Sequence, residues 1–144
     1  MKRIFILSIF SLFFLSCEKE DSFNTDYNFL YGDWVPKQVD AGMSFNADPK
    51  LLGDIIQITE KCSYKVITDN KIVEEGNIDI ISQSVDKLTF AFKSKKVDSG
   101  YSVSASMIRI SSHTLGLIKY TNDSIALGNN ATDWGYYQVK LSRK

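Results

Sequence analysis

Hydrophobic and polar residues alternate along most of this chain with a period of two, the spacing of a strand with one face in a core and the other in water. Leu88, Phe90 and Phe92 alternate with Lys87, Thr89, Ala91 and Lys93, and Cys62, Tyr64 and Val66 with Ser63 and Lys65. Tyr101, Val103, Ala105 and Met107 alternate with Ser102, Ser104 and Ser106, and Tyr137, Val139 and Leu141 with Tyr136, Gln138 and Lys140. Less regular stretches of the same kind fit 31–39, 54–59, 72–81, 114–120 and 124–127, so the pattern predicts roughly nine strands.

The connections are mostly short. Asp69-Asn70 and Asn122-Asp123 are residue types that accept positive φ, as tight hairpins require, and 94–100 reads as a longer charged tip. Between Ile72 and Ile80 the apolar parity is inconsistent, with Val73 odd and Ile78 and Ile80 even. A bulge at Glu75-Gly76 reconciles them; without one, Ile72 faces inward and Glu74 points into the core or a cavity. The 40–53 connection is long and carries Met43 and Phe45, apolar side chains that usually fold back over something. Within it, Asp48 as N-cap, Pro49 at the first helical position and Gly53 beyond the end predict one turn over 49–52. Consecutive strands joined this way form a meander whose exposed edges vanish on closure. The expected fold class is all-β, an up-and-down antiparallel barrel of about 8–9 strands whose interior is filled by side chains or by one small ligand. An immunoglobulin-like sandwich is the alternative, although its Cys…Trp…Cys spacing is missing.

The N-terminus breaks the alternation. Lys2 and Arg3 precede an apolar run from Ile4 to Leu15, which ends in Ser16-Cys17. The run is about twelve residues against the ~20 of a spanning helix, so it reads as an export signal cut before the cysteine. Phe14-Leu15-Ser16-Cys17 resembles the lipobox of bacterial lipoproteins, in the loose form that Bacteroidetes lipoproteins tolerate. It implies lipid attachment at Cys17. Glu18-Lys19-Glu20-Asp21 resembles the surface-export signal of the same phylum. The expected organisation is a signal peptide over 1–16, a polar tether over 17–28 and a barrel domain over 29–144, lipid-anchored at the outer membrane and displayed either to the periplasm or at the cell surface.

Charge narrows the partners. The chain has 17 basic and 17 acidic residues, and loss of Lys2 and Arg3 with the signal leaves a formal charge of −2. Such interspersed charge offers no footprint for nucleic acid and no basic stripe for an anionic bilayer, so membrane contact is expected through the lipid. With Cys17 lipidated, Cys62 has no partner for an internal disulfide and reads as a small buried hydrophobe.

Gly32-Asp33-Trp34 at the start of the first strand resembles the Gly-x-Trp of lipocalins, and its position after the tether extends the resemblance over 29–144. The resemblance implies a barrel plugged at its base by Trp34, with Arg143 stacked on that ring, and a small apolar ligand in many members. The chain departs from the family at 119–123, where the residue types of Thr-Asp-Tyr occur in another order, and it has no room for a C-terminal helix.

Candidate chemistry is sparse. His113 is the only histidine, with no nucleophile elbow beside it and no metal-ligand spacing around it, and its hairpin position suits a solvated side chain. Glu74-Glu75, Asp79 and Asp86 are formally able to pair for glycoside hydrolysis, but strand acids at turns and outer faces are far commoner. No catalytic activity, cofactor or metal is expected. Phe45 and Trp134 stand on predicted loops and are the candidate ligand contacts, or else a lid on their own barrel. The leading reading is a binding module for a small apolar or amphipathic ligand under the 40–53 loop. It fails if Phe90, Phe92, Tyr64 and Leu115 pack the interior solid. The alternative is a surface protein- or glycan-interaction module with a filled barrel.

Overall fold

A computed structural model describes residues 22–42, 46–100, 109–129 and 137–144. The strands are β1 (Gly32–Ala41), β2 (Asn46–Ala47), β3 (Ile55–Ile58), β4 (Ser63–Thr68), β5 (Lys71–Gln83), β6 (Leu88–Val97), β7 (Thr114–Thr121), β8 (Ser124–Asn129) and β9 (Tyr137–Arg143). All neighbours are antiparallel, and β1 pairs with β3 along one side and with β9 along the other. That closes β1 and β3–β9 into an eight-stranded barrel, with β2 a two-residue strand against Val39 and Asp40 of β1. The all-β antiparallel barrel read from the alternation is therefore the fold found, and closure rules out two stacked sheets. Because β6 pairs directly with β7, the ring is complete without the strand expected at 101–107, which lies outside the described residues.

The alternation sets the lining. Trp34, Ile56, Tyr64, Phe90, Phe92, Leu115, Ile125, Leu127, Tyr137 and Val139 are fully buried in one core. Burial of each such side chain contributes about 1.5–3 kcal/mol, which offsets the entropy of ordering a chain with no disulfide. The rings meet edge to face, Tyr64 on Phe92 at 4.8 Å and Phe90 on Phe92 at 5.5 Å between centroids.

Local chemistry places the turns. Asp69 and Asn70 adopt φ of 50° and 59°, the left-handed pair of a tight hairpin. Asn122-Asp123 also turn the chain, but not with the positive φ expected: a register shift between Lys119 and Thr121 takes up the twist, and Thr121 Oγ1 accepts from the Asp123 amide at 3.2 Å. The predicted turn at Pro49–Leu52 is a 3-10 helix, with Asp48 Oδ1 accepting from the Lys50 amide at 3.0 Å and Gly53 as C-cap at φ 107°. It folds back toward the barrel and buries Leu52. Pro36 sits in β1 beside a register shift, where a missing donor is tolerated.

The expected irregularity at Glu75-Gly76 is present, but its extra residue belongs to β6: Glu75 faces Lys96 and Gly76 faces Ser94. Parity on β5 therefore holds from Glu74 to Ile80, and Glu74, Gly76 and Ile78 are all buried on one face. A second shift, between Val66 and Ile67, turns Ile72 outward instead. The charged stretch expected as a hairpin tip from 94 is strand up to Val97, because β6 continues along β5 beyond the core.

The two ends differ. One is capped by residues 22–31, with a 3-10 helix over Thr25–Leu30 lying across it. Its Tyr27 hydroxyl donates to Ser84 O at 2.5 Å, and Phe23 packs edge-on to Phe90. The other end, the mouth, is bounded by the Pro49–Leu52 turn, the Asp69-Asn70 hairpin, the end of β6, and a 3-10 turn at Ile110–Ser112 that buries Ile110.

Candidate functional site

The closed end is built around Gly32-Asp33-Trp34. Trp34 is fully buried, and its Nε1 donates to Leu30 O at 2.8 Å, so the ring is satisfied at both its apolar face and its polar edge. Arg143, facing Trp34 across the β1–β9 pair, lays its guanidinium over the ring at 4.1 Å. The same fork donates to Tyr31 O at 2.8 Å and to Phe29 O. Gly32 has φ 126°, and a Cβ there would lie 2.6 Å from Arg143 Nη1, so only glycine fits at this point. The structure thus brings Trp34 and Arg143 together as one closure, joining the first and last strands. This is a scaffold and leaves no room for a ligand.

Cys17, Phe45 and Trp134, read from the sequence as lipid-attachment and ligand-contact positions, lie outside the described residues.

Above the closure the barrel is full. Tyr64, Phe90, Phe92 and Leu115 are each fully buried, so among the described residues they leave no large apolar chamber in the lower interior. Nearer the mouth the lining turns polar. Glu74 is 1% exposed, on the inner face beyond Tyr64. The Tyr64 hydroxyl donates to Glu74 Oε1 at 2.7 Å, and Ser94 and Ser111 approach the same hydroxyl. Burial, followed by the bond to Glu74 and its charge, pushes the Tyr64 pKa well above the ordinary tyrosine range. Glu74 Oε2 is buried and makes no hydrogen bond. An unmet buried acceptor costs about 1–3 kcal/mol, which marks this position as one held against stability.

Gly76 makes the pair possible. A Cβ there would stand 2.0 Å from Lys93 O and 2.9 Å from the Tyr64 ring, so glycine lets β6 close in while the ring crosses beneath. A cleft of about 480 Å³ opens at the rim beside this pair, lined by residues 72–75 and 96–99. Val73, Val97 and Ile72 give it apolar walls, and three acidic side chains stand against one lysine, Lys96.

His113 is not solvated as its hairpin position suggested. It is half-buried and stacks on Tyr137, with 4.0 Å between centroids and 17° between planes. The other acids weighed for hydrolysis do not join Glu74 inside: Glu75 and Asp79 stand at the opposite parity and Asp86 is exposed in the β5–β6 turn. Among the described residues no three His, Cys, Asp or Glu side chains converge to hold a metal. Among them also, no helix is long and apolar enough to cross a membrane.

The sequence pointed to Glu74 only through its parity, as the outcome if β5 ran without a break. The parity held for Glu74 but not for Ile72, because β5 carries an extra residue at Val73, opposite the Val66–Ile67 step.

No protein-family model, no curated protein and no solved structure matches this chain.

Proposed function

We propose that this is a lipid-anchored cell-envelope lipoprotein of lipocalin-like build, held at the outer membrane through Cys17, whose barrel takes a small amphipathic ligand at its mouth. The observation that carries the ligand reading is the cleft at the rim, apolar along Val73 and Val97 and backed by a buried carboxyl group with an unmet acceptor. The filled interior removes the ligand chamber expected inside the barrel, so the reading proposed here keeps only a ligand at the rim. The Gly32–Trp34–Arg143 closure supports the lipocalin-like comparison by geometry rather than by ancestry.

Two measurements test this. Labelled palmitate is expected in the protein made in a lipoprotein-processing bacterium and absent from Cys17→Ser; equal labelling of both overturns the anchor. An environment-sensitive apolar dye is expected to bind the folded protein saturably, in competition with amphiphiles.

A second reading, surface interaction with protein or glycan, draws on the same filled core of Tyr64, Phe90, Phe92 and Leu115. Absence of dye binding by folded protein establishes it over the first.

A further inference from the structure

Resting on the ligand reading above, we infer that the mouth cleft selects a small organic cation: a primary ammonium group on a short apolar body, its head taken by Glu74 and its body by Val73 and Val97.

Three observations converge on this chemistry. The first is the state of Glu74. Its Oε1 receives the Tyr64 hydroxyl at 2.7 Å, while Oε2 is buried with no donor. Buried carboxyl oxygens are satisfied in native folds as a rule, so this one lacks a partner that the protein itself does not supply. What it lacks is a donor. The second observation is the charge of the walls. Glu74, Glu75 and Asp98 line the cleft with Lys96; Glu75 lies opposite Lys96 across the β5–β6 pair and on the other face from Glu74, so Glu74 and Asp98 carry the excess charge, which favours a cationic visitor over an anionic one. The third is the apolar part of the lining. Ile72, Val73 and Val97 offer contact to a hydrocarbon body, beside the polar Ser99 of the same lining.

The pair is also preorganised. Tyr64 is fixed by its edge-to-face contact with Phe92, and the close approach at Gly76 holds β5 and β6 around it. A rigid acceptor recognises an ammonium without ordering side chains first, so little entropy is lost on binding. Charge-assisted bonds of this kind are roughly twice as strong as neutral ones, which is the basis for discrimination by head group.

The test uses the full-length protein in non-ionic detergent, titrated with n-hexylamine, n-hexanol and hexanoate, which share an alkyl body and differ only at the head. Binding is read from backbone amide shifts of residues 73–75 and 97. Hexylamine is expected to bind about tenfold or more tightly than hexanol, with hexanoate weakest. In Glu74→Gln the three affinities are expected to converge, while Tyr64→Phe keeps the preference for the amine. Equal affinities of the three probes in the wild-type protein overturn the inference, as does an unchanged preference in Glu74→Gln. Should that variant fail to fold, the wild-type comparison decides alone. If the apolar dye binds but hexylamine shows no advantage, the head-group inference falls and the ligand reading stands; if neither dye nor amine binds, both fall.

Discussion

Arg143→Ala separates a latch from a mere chain end. Its guanidinium covers the Trp34 ring at 4.1 Å, a contact of about 1 kcal/mol at a partly buried site. Its fork also satisfies the carbonyls of Tyr31 and Phe29, and loss of those two bonds removes roughly 1 kcal/mol each. The ion pair with Asp123 spans 3.8 Å to a carboxylate that is 78% exposed, so screening leaves it near zero. The sum is about 3 kcal/mol, a large share of the ~5–15 kcal/mol that holds a typical domain. In urea denaturation followed by tryptophan emission, the midpoint is expected to fall by roughly 1–2 M with little change in slope. Arg143→Lys should lose most of the same amount, since an ammonium does not fork between two carbonyls while lying flat on a ring. Asp123→Ala should move the midpoint hardly at all. Arg143 is no latch if Arg143→Ala stays within about 1 kcal/mol of the wild type, or if Asp123→Ala costs as much.

Two more outcomes are expected. Gly76→Ala forces a Cβ to within 2.0 Å of Lys93 O, so β5 and β6 must part; a loss of about 3 kcal/mol or more is expected, against about 1 kcal/mol for Gly42→Ala, whose Cβ meets nothing although φ is 76°; equal losses in thermal melts would show that the close approach at Gly76 is relieved by small shifts. Burial and the bond to Glu74 raise the Tyr64 pKa above its ordinary value of 10.0, so the unfolded chain releases that proton first: stability is full below about pH 10 and declines above it, by up to ~1.4 kcal/mol per pH unit, with a shallower decline in Tyr64→Phe. Denaturation curves whose midpoints hold constant or rise above pH 10 count against the buried Tyr64–Glu74 pair.

Much of the barrel was legible because closure needs only local signals repeated. Alternation at 62–66, 88–92 and 137–141 named the inner faces, and Asp69-Asn70 and Asp48-Pro49…Gly53 named a hairpin and a turn through the backbone angles they favour. What escaped depends on pairs distant in sequence. The extra residue at the Glu75-Gly76 irregularity lies on β6, and nothing in β5 alone says which strand carries it. The lysines after Phe92 read as a loop because they bury nothing, yet β5 supplies their backbone bonds. His113 stacks on a residue twenty-four positions later, a contact no local pattern encodes. The mouth site shares this dependence, since Glu74 is set inside by register and Tyr64 reaches it from another strand.

The cap at the closed end also fixes a direction. The chain arrives there: the Asn24 amide donates to Gln83 Oε1 at 3.0 Å, and Gln83 Nε2 reaches back to Ser22 O. Cys17 precedes Ser22 by five positions, which extend at most about 18 Å. The thirteen residues of β5 run roughly 40 Å, or about 30 Å along the axis of a barrel with ordinary tilt. An acyl chain carried at Cys17, as proposed, would therefore tether the barrel at its capped base, the end opposite the mouth.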